Sequence, residues 1–511
     1  MFRFLPFSNG YGASGGAINS QSMAGFASWS STATADIAPY RMELVSRARQ
    51  LAIISPMASA AVKRIVGGII GEGLKYAYAQ TSELMEGDYI PLASYIYKQF
   101  QMASHLHSLD AQGRLTWSQF QEIACYNWLL SGEVFFVRRN KDALSSWRII
   151  EADRCITPYY MATKEPLSLV CYNPENGNRI IDGVELDEDA KPIAYWFLKD
   201  YVQKPLEVTE DQIMRIPAYD DNGLPVVIHL FKPTRPDQYR GVPCISEVIE
   251  TIFSTQNFIQ ATEQAAQFEA ALYGFIKSEN PTMDETDVLP VRDLDEKIPL
   301  EQKTEDTPKD APVMTLDPSY NADVQSQAWL DKFYPRPKTV SAGSIIHLGE
   351  NEDIKFLQST HPNSNFDAYI KSQQGQVASA LGIPKQALTC EFDTTYASAK
   401  AAVIQANETY KQLRSYFLES FIKPVFKVFV YDSLEGLVDD PLFVAVSMTI
   451  ESIWEAPAMM CLDELKELQA WKMAIELGLV TRDEAAQALY SHKATGTPAP
   501  PPEKTEEIDE V

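Results

Sequence analysis

The chain contains 511 residues, too many for one ordinary hydrophobic core, so we expect several subregions. Hydrophobic residues make up 45% and charged residues 22%, a balance that excludes wholesale disorder. A net charge of -25 disfavours tight electrostatic wrapping of nucleic acid, although a duplex could pass along such a like-charged wall without sticking.

The six cysteines form no CxxC pair, and no histidine lies at zinc-finger spacing, so we interpret them as reduced structural thiols. No uncharged apolar run approaches the ~18 residues that a membrane helix needs. We therefore expect a soluble protein, made in a cytosol, with no membrane partner.

The chain opens with a stretch, residues 1–38, that is rich in Gly, Ser and Ala and predicts a flexible arm. Helical spacing of apolar residues follows, and Ser55 before Pro56 predicts the cap of a second helix. We expect the glycines at positions 67, 68, 71 and 73 to end that helix.

An amphipathic pattern over residues 115–130, with Thr116 as its cap, predicts a further helix. The pattern then changes to short β-rich runs separated by turn signals such as Asp182-Gly183 and Asn222-Gly223. These runs predict a compact β-containing region with strands over 133–139, 147–156, 193–198, 213–217 and 226–231.

Residues 245–273 contain no Gly and no Pro, and they predict a helix over 245–276 that is about 48 Å long. Its other positions include Gln256, Asn257, Gln260, Gln264 and Gln267, a mostly uncharged set that suits packing against neighbouring chains better than a strongly charged solvent face would. A long helix inside one large domain is the alternative interpretation.

The next stretch, residues 279–310, has 11 acidic and 4 basic residues and several prolines, so we expect it to be exposed and extended. Two short strands follow over 344–348 and 353–357. A helix is then expected from a cap at residues 363–365 to Leu381, because Gly382 ends it.

A third long helix is expected to begin near Thr395, after a loop, and to be kinked or interrupted at Pro424. A β-like run over 443–450 and helices over 463–477 and 481–490 follow, before an acidic, proline-rich end that predicts disorder. The fold class predicted from these elements is mixed α+β, mainly α.

The sequence contains no phosphate-binding GxxxxGK[ST] loop, no GxSxG elbow and no HExxH motif. His105 and His107 lack the neighbouring Cys or carboxylates that would complete a metal site. The adjacent carboxylates of Asp220 with Asp221 are typical of solvent-exposed turns, as are those of residues 439–440. We therefore expect no catalytic residues, no cofactor and no metal.

Several segments, in this order, resemble the lambda-like phage portal proteins: RARQLAIISPMASAAV at 47–62, GGIIGEGL at 67–74, HLFKPTRPDQYRGVP at 229–243, NSNFDAYIKSQQGQVASALGIP at 363–384 and TTYASAKAA at 394–402. The resemblance extends over roughly residues 38–490. Where many relatives have Asn, Tyr, Ser, Ser, a variable residue and Arg, this chain has residues 395–400 with Lys400 last. Lysine keeps the cation but loses the bidentate fork of arginine.

The resemblance implies a ring-forming portal fold with a wing, a long-helix stem, a small α/β clip, a tunnel loop and a helical crown. In the first half of the chain, its regions would be an arm at 1–38, the wing at 39–243 and a first stem helix at 244–277. The clip at 278–362 would follow, then a second stem helix at 363–383 and the tunnel loop at 384–396. The long helix and the second part of the wing would occupy 397–456, the crown 457–492 and a disordered tail 493–511.

The resemblance also implies a homo-oligomer of twelve copies at one vertex of the capsid, in a virion whose proteins are made in the host bacterial cytoplasm. Double-stranded DNA would pass non-specifically through the centre during packaging and ejection. The implied protein partners are the major capsid protein and scaffold, the terminase large subunit that powers packaging, and a head-completion or adaptor protein.

The tunnel loop and its flanks would present four charged residues to DNA: Lys385, Glu391, Asp393 and Lys400. Ordinary interface or solvent charges are the alternative for all four. The stem would supply the subunit-interface residues, which are Ile245, Ile249, Ile252, Phe253, Ile259 and Ala266.

Two other classes of protein stay open from the sequence. A cytosolic helical scaffold or adaptor without a DNA channel would form monomers or small oligomers. An enzyme with a site in the β-containing region is the second, and no residue pattern favours it.

Overall fold

The structure is a computed structural model that divides into two compact units, one of residues 1–260 with 365–511 and one of residues 261–364. It combines helices and antiparallel sheets, which confirms the mixed α+β class. The structure describes residues 31–77, 89–140, 144–161, 170–202, 208–271, 275–278, 352–355, 365–391, 395–434, 453–456, 464–480 and 485.

The described chain begins with helices α1 (Ala33–Ile37) and α2 (Arg41–Ile54). The Thr32 side chain accepts a hydrogen bond from the backbone N–H of Ala35 and so caps α1. Arg235 pairs with Asp36 and also donates to the Ser31 carbonyl at 2.7 Å. Folded structure therefore begins before residue 38, where the sequence predicted the end of a flexible arm.

Helix α3 (Pro56–Ile70) begins at the predicted cap, because the Ser55 side chain accepts from the backbone N–H of Ala58. Of the four glycines expected to end this helix, Gly71 follows its last residue with a φ of 53°, whereas Gly67 and Gly68 lie within the helix. A Cβ on Gly68 would lie only 2.5 Å from the Tyr410 ring. The glycine thus serves close packing between helices rather than termination.

In the part of the chain that the structure describes, no single helix is long and apolar enough to cross a membrane. Helices α2 and α3 have the necessary length and composition only when taken together, and they meet at an angle of 101°.

Strand β1 (Lys75–Ala77) separates α3 from helices α4 (Tyr89–His105) and α5 (Trp117–Ser131). The predicted cap of α5 is confirmed as a capping box, in which Thr116 and Gln119 each accept a backbone hydrogen bond from the other residue. Helix α4 was not predicted, although Ile96, Phe100 and Ala103 are buried at helical spacing.

The β-containing region has two antiparallel sheets. In the three-stranded sheet, β2 (Glu133–Arg139) lies between β3 (Ser146–Glu151) and β9 (Val227–Phe231). The five-stranded sheet is a meander in chain order of β4 (Val170–Tyr172), β5 (Arg179–Ile181), β6 (Val184–Leu186), β7 (Pro192–Leu198) and β8 (Ile213–Pro217).

All five predicted strands are present, but the run predicted to reach residue 156 leaves the strand after Glu151 and turns through a 3-10 helix, Ala152–Arg154. The two sheets pack through aromatic contacts, with the rings of Phe135 and Phe197 5.1 Å apart at an interplanar angle of 81°. The larger core lies on the opposite face of β2, where Phe136 stacks on Phe421 at 4.2 Å.

Helix α6 (Ile249–Ala271) follows a 3-10 turn, Ser246–Val248. The prediction that this helix extends to residue 276 is wrong, because Phe275–Ser278 forms strand β10. It pairs antiparallel with β11 (Glu352–Lys355), close to the predicted strand at 353–357. Aromatic and β-branched residues at 275 and 276 favour the extended conformation once a partner strand is available.

Helices α7 (Phe366–Ala380), α8 (Lys385–Thr389) and α9 (Tyr396–Phe417) come next in the chain. A π-helical turn, Leu418–Ile422, then leads into α10 (Lys423–Leu434). The predicted interruption at Pro424 takes this form, because the N–H of Lys423 bonds to the Leu418 carbonyl and the proline has no N–H to donate.

Strand β12 (Ile453–Glu455) pairs with β1, and helix α11 (Glu464–Glu476) confirms the prediction over 463–477. Some predicted features lie wholly or largely outside the described residues: the acidic stretch 279–310, the strands at 344–348 and 443–450, the helix at 481–490 apart from Ala485, and the C-terminal tail.

Candidate functional site

Helices α6 and α7, which the sequence predicts to form a stem, lie side by side. Phe258 of α6 contacts two aromatic rings of α7, Phe366 at 5.7 Å and Tyr369 at 4.7 Å between ring centroids. At the other end of α7, Val377 and Ala378 are buried in the same core cluster as Ile245. One end of the helix pair is therefore anchored in the large core.

The predicted interface residues of the stem fall into two groups. Ile245 and Ile252 are completely buried in their own subunit, so a neighbouring copy cannot reach them, and Ile249 packs against the same core. Phe253 is 49% exposed. Ile259 and Ala266 are partly exposed. Of the six residues, Phe253 therefore offers a neighbour the most accessible apolar surface.

The predicted tunnel loop contains a helix that sequence reasoning missed, α8, and two buried side chains anchor this segment, Ile383 before the helix and Leu388 within it. Cys390 ends the helix in the left-handed conformation, with φ at 58°. After the loop, the Thr395 side chain accepts from the backbone N–H of Ser398 and begins α9, as predicted.

Hydrogen bonds tie the base of this loop to the neighbouring helices. Thr409 in α9 donates through Oγ1 to the Gly382 carbonyl at 2.7 Å. Arg414, one turn further along α9, donates to the carbonyls of Gly68 and Ile69 at 2.7 and 2.6 Å. These carbonyls lie at the end of α3, where the helix itself has no N–H to bond them. The bonds from Arg414 therefore hold α3 against α9 beside the loop.

The four charged residues predicted for the loop differ in accessibility. Lys385 is the first residue of α8 and is partly buried, whereas Glu391 and Lys400 are exposed. Among the residues that the structure describes, no ion pair joins these three side chains, and Asp393 lies outside the described residues. Both side chains, the negative Glu391 and the positive Lys400, are therefore accessible to a ligand.

The chain enters the first helix of the pair, α6, from a buried ionic cluster that the sequence analysis missed. Arg240, shortly before α6, donates through Nε to both carboxylate oxygens of Glu133 at 2.9 and 3.0 Å. Arg41 of α2 donates to both oxygens of Asp182, at 2.7 and 2.9 Å. His229 Nε2 lies 3.0 Å from Glu133 Oε2. We call these five residues the root cluster.

The charges of the root cluster compensate one another inside the protein. Burial acts to raise the pKa of Glu133, but Arg240, His229 and Arg41 outweigh it and hold that pKa far below its usual range. Burial lowers the pKa of His229 despite the neighbouring carboxylate. Two guanidinium groups thus face two carboxylates beside the His229 imidazole.

Backbone contacts hold the same place. The N–H of Gly241 donates to Glu133 Oε2 at 2.8 Å, and the N–H of Cys244 donates to the Leu129 carbonyl at 2.9 Å. A Cβ on Gly241 would lie 2.1 Å from the carbonyl oxygen of Gly132. The signal in the sequence was a charged residue, Glu133, directly before the apolar run of residues 134–137 in β2, because such a charge must find a partner when buried.

Comparison with known proteins adds three relatives. A probable portal protein of Halomonas phage phiHAP-1 is 24% identical over 269 residues, covering 52% of this chain and 44% of the relative, so this chain matches less than half the length of that protein. A chain from the neck of a native gene transfer agent particle computed with C12 symmetry is 13% identical, with a TM-score of 0.46 and coverage of 88% and 93% of the two chains.

The third relative, an HK97 family phage portal protein from Corynebacterium diphtheriae, is 11% identical, with a TM-score of 0.29 over 71% of this chain and 85% of that chain. The family model described as phage portal protein, lambda family, matches residues 19–414, which are most of the sequence. The chain therefore belongs to the lambda family of phage portal proteins.

Proposed function

We propose that this chain is the subunit of a closed ring through which double-stranded DNA enters and leaves the capsid. The observation that carries the proposal is the helix pair α6 and α7, anchored in the core at one end and continuous with the hydrogen-bonded loop after Gly382. One heterologous contact repeated around a ring would place the same helices and loop of every copy around a central hole.

Apolar side chains on the proposed stem and on α9 remain uncovered in the single subunit. Phe253 is 49% exposed, Tyr396 51% and Ile404 53%. Covering such surface yields roughly 25 cal/mol per Å², so contact with a second copy would stabilise the assembly. We propose twelve copies, with the wing, stem, clip, tunnel loop and crown at the boundaries given above.

The loop charges suit passage better than retention. Glu391 and Asp393 would repel the phosphates, while Lys385 and Lys400 would contact them briefly without reading bases. A chain with a net charge of -25 has little tendency to hold a polyanion. DNA would therefore move through the hole without strong attachment.

The family is structural, and the motor would be a separate protein. Since the sequence has no phosphate-binding loop, we propose that the terminase large subunit docks on the clip and supplies the energy. A head-completion or adaptor protein would later replace it. The major capsid protein and scaffold would surround the ring at one vertex of the virion, after synthesis in the host cytoplasm.

Negative-stain electron microscopy of the purified chain, with mass photometry on the same sample, tests this proposal. We expect rings of about a dozen subunits, as repeated heterologous contacts close into rings, with a hole wide enough for a duplex. Compact dimers or tetramers without a hole would contradict the proposal and favour a helical scaffold protein.

A further inference from the structure

We propose that the root cluster is a positioning device that fixes the direction in which stem helix α6 leaves the β-containing region. Its central pair is Glu133 with Arg240. The inference deepens the proposed function, since a channel requires every copy to hold its stem at the same angle. It assigns a role to buried charges that lie away from the tunnel loop.

The root cluster includes the residue that lies just before the turn leading into α6. Its members come from five different segments of the chain, and contacts within the cluster join residues that are 58 to 141 positions apart. Arg240 and Gly241 lie immediately before the turn that starts the stem. Both residues bond to the carboxylate of Glu133. The start of the stem is therefore tied directly to strand β2.

Contacts on several sides hold the Arg240 side chain in one orientation. The Arg240 guanidinium also donates to the carbonyls of Ala152 and Cys155, both at 2.9 Å, and pairs with Asp182 at 3.2 Å. A planar guanidinium that is hydrogen-bonded on several sides has one orientation, whereas apolar side chains packed at the same place would let the two segments slide past each other. Burying these charges costs desolvation free energy, and they lie where the direction of helix α6 is set.

A close backbone contact beside the cluster joins β2 to the segment that precedes α6. The backbone at Gly241 approaches Gly132 so closely that neither position has room for a side chain. Gly132 also adopts a φ of 82°, in the left-handed region that favours glycine. A shift of β2 must therefore move the first turn of the stem with it, and movement of the wing in a ring would reach the stem.

The chain supplies a matched control in a second buried carboxylate. Glu185 in the five-stranded sheet is completely buried and accepts hydrogen bonds from Arg215 at 2.8 Å and from Trp196 at 3.0 Å. It has the same chemistry as Glu133 but is bonded to no residue of the segment that starts the stem. Neutralising it removes a buried charge without touching the root cluster.

The test compares Glu133→Gln with Glu185→Gln in the purified full-length chain by hydrogen–deuterium exchange. We expect amides of residues 244–260 to exchange about tenfold faster in E133Q and at the wild-type rate in E185Q, because local opening follows local contacts. Arg240→Lys, which keeps the charge and loses the fork, should show an intermediate increase. It also serves as the test if E133Q does not fold.

Equal exchange at the stem in E133Q and E185Q, or wild-type exchange in R240K, would overturn the inference. The exchange measurement does not depend on rings or DNA, so it separates this inference from the proposed function. A second measurement joins them: in phage carrying R240K portals, the packaged DNA length should spread more widely than in phage carrying E185Q. Equal spreads would show that stem direction has no role in packaging.

Discussion

The chain enters the proposed stem at α6 and leaves it at the end of α7, and the structure holds these two places in different ways. At the root cluster, buried ion pairs and a close backbone contact between Gly132 and Gly241 tie the start of α6 to β2. At the loop end, a cavity of about 310 Å³ lies between α3, α8 and α9, and small side chains such as Ala402 and Ala406 line it. We infer that the root is rigid and that the loop can adjust.

The largest effect should come from removing a charge at the rigid end. Replacing Glu133 with Ala leaves two buried guanidinium groups undercompensated and should lower the free energy of unfolding by about 3–5 kcal/mol. Urea denaturation followed by tryptophan fluorescence measures the change. A loss no larger than that of the exposed-site control Glu391→Ala would contradict the rigid-root interpretation.

Packing of the loop frame gives the next effect. Gly68→Ala places a methyl group against the Tyr410 ring and should destabilise the protein by about 1–3 kcal/mol. Gly67→Ala is the matched control, since nothing lies within 4 Å of its added Cβ, and a helix gains stability when alanine replaces glycine. Thermal unfolding should therefore shift in opposite directions, and parallel shifts would refute the packing of α3 against α9.

A smaller effect is expected at the base of the loop. Thr409→Val keeps the side-chain volume but removes the hydrogen bond to the Gly382 carbonyl, which should cost about 0.5–1.5 kcal/mol. Because the loop is adjustable, amide exchange should rise over residues 382–391 and stay unchanged over 244–260. An equal rise in both segments would mean that the two ends are not held independently.

The smallest effect on stability belongs to the loop charges. Replacing the exposed residues Glu391 and Lys400 together with Ala should change the free energy of unfolding by about 0.5 kcal/mol or less, as is usual for exposed positions. The length or yield of packaged DNA should nevertheless change in phage that carry the variant portal. Unchanged packaging would remove these residues from the channel.

Local sequence patterns predicted several helix starts and strand bounds. The predicted caps at Ser55 and Thr116 are confirmed, since each hydroxyl accepts from the backbone N–H three residues later, and the helix expected to open near Thr395 begins with the same bond. Strands β2 and β8 have the predicted bounds because their apolar runs end at turn signals. Such features need no knowledge of distant residues.

The errors arise where distant contacts decide the structure. Strand β10 continues a helical pattern and becomes extended because Glu352–Lys355 pairs with it. Gly68 looks like a helix terminator until the ring of Tyr410 is placed against it. The root cluster depends on partners in five segments, and a single sequence contains no signal that pairs Glu133 with Arg240 across 107 residues.

The most direct test of the account is photo-crosslinking in DNA-filled phage heads. A photoreactive residue at position 400, on the exposed face beside the tunnel loop, should form adducts with the packaged DNA. The same residue at position 172, on the β-containing region where Tyr172 is 63% exposed, should form few. Equal yields at the two positions, or none at position 400, would contradict passage of DNA beside this loop.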